Sequence, residues 1–202
     1  MRRKARVSDT LRQQPGGRLS TRALLVTAAF AALGAVLLIL VAPVTSLLAA
    51  LFPPAYALVA GVHSVLPFLA RRLIGIPWVT TVAFALVGVV SIGFTPLGVL
   101  IVIPLVLTGV VFDLTLLLLA RRGAPRPRHY YAAAAVTGVA LFLVSLPVMS
   151  PGDLGPVVLA LTLCGRLLGQ LGAAVLSAAV ARGVERAGIV PQDLVPRSGP
   201  VI

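Results

Sequence analysis

Few residues in the apolar part of this chain carry chemistry beyond a hydroxyl: His63, Asp113, Cys164, Arg166 and Gln170. A charge placed in hydrocarbon costs roughly 2.5–3.5 kcal/mol or more, so each such group marks either a ligand contact or a lock between helices. Asp113 reads as a ligand or counter-ion contact, or as a structural pair with Arg166 or His63. Arg166 is flanked by Gly165 and Gly169, which lets a neighbouring backbone come close. Its partner is either Asp113 or a ligand anion. His63 hydrogen-bonds that carboxylate or a ligand. Gln170 follows Arg166 by one turn and shares its face, as polar glue between helices or as a ligand contact. Cys164, the single cysteine, forms no intramolecular disulfide and reads as a small packing residue.

Several chemistries lack their parts. A phosphate-binding loop needs a lysine after its glycines, and the one lysine is Lys4 in a basic tail. Metal-assisted hydrolysis needs clustered ligands, whereas His63, Asp113 and Cys164 fall on separate apolar runs. Neither a Gly-x-Ser-x-Gly elbow nor a His-Glu-x-x-His helix is present. The sequence therefore reads as a non-enzyme with no metal and no cofactor. The open classes are a solute-binding or transport subunit, a stand-alone small transporter, a channel, and a structural or assembly membrane protein. No run shows the polar stripe that would line a pore.

The elements that hold these residues are apolar helices. Hydrophobic residues make up 59% of the 202 and charged ones 11%, with a mean hydropathy of +1.07, more than a soluble core needs. The net charge of +12 sits in clusters between long apolar runs, which is membrane topology and not a nucleic-acid footprint. Six spans are predicted over 21–41, 54–70, 77–91, 97–120, 130–146 and 154–180. The first exceeds the ~7–15 residues of a signal-peptide core, and more spans follow it, so it is kept as a helix. Pro43 is predicted to end it, leaving 42–54 as a loop or re-entrant segment at the outer face.

Seven basic residues precede or open the first span, two lie between the second and third, four between the fourth and fifth, and three after the sixth. The alternate connections carry none. The expectation is an all-α integral membrane bundle of six helices with both termini cytoplasmic. A disordered basic tail covers 1–20, the membrane domain 21–182 and a second cytoplasmic tail 183–202. Trp78, Tyr130 and Tyr131 then fall at the cytoplasmic interface. In the first span, Ala28/Ala32 and Ala31/Ala35 both satisfy small-xxx-small spacing, for contact with a partner helix or for internal packing. Gly165, Gly169, Ala173 and Ser177 form a similar face predicted to pack inside the bundle.

Six spans, an apolar outer connection, and Leu19, Ser20, Thr21 and Arg22 leading into an alanine-rich helix resemble the S components of energy-coupling factor transporters. Leu51 to Tyr56, Gly61, Pro67, Arg71 and Arg72, then Pro96 to Gly98 and Gly109 to Asp113, most resemble the hydroxymethylpyrimidine/thiamin class. That class is richer in tryptophan around the second helix, where His63 and Ser64 stand here. The resemblance implies a multi-pass protein of a prokaryotic plasma membrane that binds a vitamin or its precursor. It implies a pocket near the outer half, lidded by 42–54, with Asp113 where the class tends to carry a glutamate. Tyr56 joins Asp113, His63, Arg166 and Gln170 as candidate substrate contacts. It also implies partners: a transmembrane coupling subunit, met by Ala28, Ala32, Ala31 and Ala35, and two ATPase subunits.

Overall fold

The computed structural model describes residues 21–187 apart from 96, 122 and 150–154. The tail expected over 1–20 and the sequence from 188 onward lie outside the described residues. All regular structure among those described is helical: α1 (Thr21–Leu51), α2 (Pro53–Val59), α3 (Val65–Ile74), α4 (Val79–Ser91), α5 (Val102–Leu119), α6 (Pro127–Ser145) and α7 (Pro156–Arg186). A 3-10 turn over Ala60–Ser64 joins α2 to α3, and another over Gly98–Ile101 leads into α5. Four helices are long and apolar enough to cross a membrane: Thr21–Leu51, Pro53–Ile74, Gly98–Leu119 and Pro156–Arg186. The shorter α4 and the 19-residue α6 pack among them.

Two boundaries differ from expectation. Pro43 lies inside α1, which continues to Leu51. A proline removes one backbone donor. In an apolar surrounding, leaving the helix would strand every donor and acceptor from 44 to 51, a larger cost than one missing bond. The break comes instead at Phe52, where Pro53 and Pro54 occupy the first turn of α2 and suit a helix start. At the other end α7 runs to Arg186, so the boundary expected at 182 falls within a helix.

The helices close into a ring, α1 against α4, α4 against α5, α5 against α6, α6 against α7 and α7 against α2, with α3 touching α1, α4 and α7. The inside is built from small and aromatic residues. Phe68 stacks on Phe112 with centroids 3.9 Å apart and meets Phe84 edge-on at 6.3 Å. Ala31, Ala35, Ala133, Ala134, Ala173 and Ala174 fill the space around them. Many large aliphatic side chains point outward, Leu25 being 66% exposed, Leu40 71% and Val99 68%, while Leu38, Val87, Leu105 and Leu116 join the core. Such an apolar exterior around a small-residue interior is matched to lipid.

The closest approach is between α7 and the second span. A Cβ on Gly165 would lie 2.6 Å from the Pro54 carbonyl oxygen, and one on Gly169 2.6 Å from that of Leu58. A Cβ on Gly61 would overlap the backbone of Gly169. The expected packing of Gly165, Gly169, Ala173 and Ser177 inside the bundle is observed, all four being buried. Gly61→Ala is therefore expected to lose roughly 1–3 kcal/mol, because the obstacle is backbone and cannot rotate away. The melting temperature of the detergent-solubilised protein measures this, with Gly172→Ala, which meets nothing within 4 Å and gains helix propensity, as the control that is not destabilised.

Candidate ligand-binding site

A cavity of 310 Å³ opens at the end of the bundle opposite the arginine-bearing connections. The last turns of α1 wall it with Thr45, Ser46 and Ala49, so the segment expected as an irregular lid is part of a helix. Tyr56 comes from α2, His63 and Ser64 from the 3-10 turn, Thr108 from α5 and Leu141 from α6, and Arg166 and Gln170 from α7. The volume lies at the small end of the roughly 300–1,000 Å³ typical of small-molecule sites.

The glycine crossing positions its polar groups. Gln170 follows Gly169 and Arg166 follows Gly165, while His63 stands two residues after Gly61 on the facing backbone. Arg166 is 8% exposed, and its guanidinium carbon sits 5.0 Å from the centre of the Tyr56 ring, a cation–π geometry. The Thr45 and Thr108 hydroxyls donate to carbonyls of their own helices, the second at 2.6 Å to Pro104. His63 Nε2, Arg166 Nε, Gln170 Oε1 and Thr95 Oγ1 are buried without a protein partner. Buried polar groups are nearly always hydrogen-bonded, so four unpartnered atoms around one cavity make it the candidate place for a polar molecule, although Arg71 Nη1 and Ser91 Oγ are also unpartnered away from it.

Four of the five residues expected to meet a ligand, Tyr56, His63, Arg166 and Gln170, thus share one cavity. Asp113 is placed elsewhere. It is fully buried and pairs with Arg71, not with Arg166 or His63, the Arg71 Nε lying 3.2 Å from Oδ1. Its Oδ2 accepts from the Thr81 backbone N–H at 2.8 Å and the Thr81 hydroxyl at 2.9 Å. These bonds replace a missing cap. The residue before α4, Trp78, has φ 67° and offers no side-chain acceptor, leaving the first-turn N–H groups of α4 without intrahelical partners. Asp113 supplies the carboxylate from α5, where negative charge is favoured at a helix N-terminus. Gly109, one turn earlier, permits the approach, since a Cβ there would lie 2.5 Å from Thr81 Cα.

Arg71, whose position in a basic pair suggests only the end of a span, is thus a structural partner inside the bundle. Its neighbour Arg72 is also inward-turned, bonding Ser177 Oγ at 3.1 Å and the Ala174 carbonyl at 3.3 Å beneath Tyr130 and Tyr131. The two alanine pairs of α1 separate: Ala31 and Ala35 are buried in the core, at 2% and 1% exposure, while Ala28 and Ala32 are exposed. Positions i, i+3, i+4 and i+7 share one stripe about 100° wide, and the edge of the bundle divides it, with Ala31 and Ala35 on the inner side and Ala28 and Ala32 on the outer. The expectation that Ala31 and Ala35 also meet a partner does not fit their place in the core. Among the described residues no group of His, Cys, Asp and Glu is arranged to hold a metal ion.

Among solved structures, the chain superposes with a TM-score of 0.76 on one described as an S-component of an ECF transporter. The two are 22% identical, over 86% of this chain and 89% of that one. The likeness establishes a shared fold. No family model and no curated protein matches the chain. The apolar helices and this fold make the chain a multi-pass, all-helical membrane protein.

Replacing Asp113 by alanine is expected to cost roughly 3–5 kcal/mol, because it strands the buried Arg71 guanidinium. Unfolding of the solubilised variant measures the loss. Ligand stoichiometry in the folded fraction should stay unchanged, and Arg71→Met combined with Asp113→Leu should recover only the part owed to the stranded guanidinium, since the Thr81 N–H still lacks its acceptor. A selective loss of ligand with full stability would instead place Asp113 at the binding site.

Proposed function

We propose that this chain is the substrate-capturing membrane subunit of an energy-coupling factor importer for a small vitamin or precursor. In this role it is not an enzyme and depends on a separate transmembrane coupling subunit and two ATPase subunits. The observation that carries the reading is the cavity in which His63, Arg166 and Gln170 hold unsatisfied polar atoms, within a bundle of S-component fold. A purely structural or assembly role leaves that cavity and those groups without a purpose. The sequence resemblance favours a pyrimidine or thiamin-related substrate. A flat ring of that size suits the volume, with Tyr56, His63 and Gln170 as contacts.

The proposal includes six spans with both termini on the cytoplasmic side of a prokaryotic plasma membrane. The distribution of arginines supports this orientation, and it turns the cavity outward, where a captured solute must enter. The coupling subunit is assigned to the exposed face of α1 that carries Ala28 and Ala32, where small side chains permit close helix contact. Mass spectrometry of small molecules released from the purified protein tests the capture role, and uptake at full rate by the chain alone would overturn the dependence on partners.

Substituting Ala28 and Ala32 together by tryptophan is expected to leave the isolated protein folded and ligand-competent while abolishing co-purification with the coupling subunit and uptake. The same double substitution at Ala31 and Ala35 should unfold the protein, since those positions are filled by the core. Unchanged assembly of the first variant would show that its face meets only lipid.

A further inference from the structure

We propose that the cavity selects its ligand by charge, admitting a neutral or anionic molecule and rejecting a cationic one, with Arg166 as the residue that determines this specificity. The inference rests on the reading of the cavity as the ligand site. Arg166 is the cationic side chain among the lining residues, it is nearly buried, and a tyrosine ring lies against its guanidinium. The acidic residues among those described are Asp113 and Glu185. Asp113 is held by Arg71 and Thr81 and does not line the cavity. Glu185 is exposed near the end of α7, 19 residues beyond Arg166 and so about 28 Å along the helix axis. Among the described residues no carboxylate borders the guanidinium, and a ligand cation in the same 310 Å³ would be taken out of water beside a like charge.

Hydrogen bonding points the same way. Arg166 Nε is a donor and Gln170 Oε1 an acceptor, both unpartnered and one helical turn apart. An acceptor set beside a donor satisfies both, as a ring nitrogen next to an amino group does on an aminopyrimidine edge. Within a pyrimidine-related class this selects the neutral hydroxymethyl compound over thiamin, whose thiazolium ring carries a permanent positive charge.

The test uses three aminopyrimidines that differ in one substituent: hydroxymethyl (neutral), carboxylate (anionic) and aminomethyl (cationic). Each is titrated calorimetrically into the full-length protein in detergent. The first two are expected to bind at least about tenfold more tightly than the third. Arg166→Gln should bring all three within about twofold of one another, whereas Arg166→Lys, which keeps the charge, should preserve the order. Equal or tighter binding of the aminomethyl compound to the wild-type protein overturns the proposal, and the wild-type order decides the matter if Arg166→Gln fails to fold. If none of the three binds, the pyrimidine assignment fails on its own, and the charge of the molecule released from the purified protein decides. A neutral or acidic molecule upholds the selection and a permanent cation overturns it. If no small molecule is found by either route, both the selection and the ligand site are overturned.

Discussion

The architecture depends on one contact without side chains. Where α7 crosses the second span, Gly165, Gly169 and Gly61 bring two backbones together so closely that a methyl group at any of the three would strike main-chain atoms. In lipid there is no hydrophobic gain from joining helices, so intimacy of packing must supply the attraction, and only the smallest residues permit it. The crossing also fixes the register of the residues beside it. Arg166 and Gln170 on one backbone and His63 on the other border a common space because the glycines next to them are locked in contact. The cavity lies between this pair of backbones and the walls that α1 and α5 supply.

A second constraint acts at the opposite end. Polar backbone groups at a helix start need partners, and a membrane interior offers no water to provide them. The first turn of α4 receives its partner from the neighbouring α5 through Asp113, and Arg71 of α3 neutralises the carboxylate. One acidic side chain thereby ties three helices, while the Phe68–Phe112 stack fills the adjoining core. The two ends of the bundle thus divide the ionic residues described: an Arg71–Asp113 ion pair at the end with the basic connections, and Arg166 beside the cavity with no described carboxylate against it.

Much of this was legible in the sequence, since hydropathy and the spacing of arginines locate helices without knowledge of their contacts. The small-residue face of α7 was legible too, because glycine and serine at four-residue spacing have few other uses. What the pattern could not convey was which side chains meet. Asp113 was expected near Arg166, yet depth alone argues against it. Asp113 lies seven residues from the basic end of its expected span and Arg166 fourteen, so at ~1.5 Å per residue they differ by about 10 Å. The expected contact between His63 and Asp113 fails for a related reason: a span ending at 70 sets His63 seven residues from the basic end, like Asp113, whereas the helix continues to Ile74. Both errors come from reading arginine as an interfacial residue. Its long side chain also serves as an internal tie when a carboxylate or carbonyl is within reach.

The unequal helix lengths have a consequence for the bilayer itself. α1 and α7 are 31 residues each and α4 is 13, which at ~1.5 Å per residue are about 46 Å and 20 Å, against a hydrocarbon thickness of about 30 Å. No flat slab matches both. Lipid thinning beside the short flank, leaning of the long helices or projection of their polar ends beyond the hydrocarbon accommodates the difference, at a fraction of a kcal/mol per ångström of mismatch. The fit to the hydrocarbon slab therefore differs around the perimeter of the bundle, with helix to spare at α1 and α7 and a deficit beside α4.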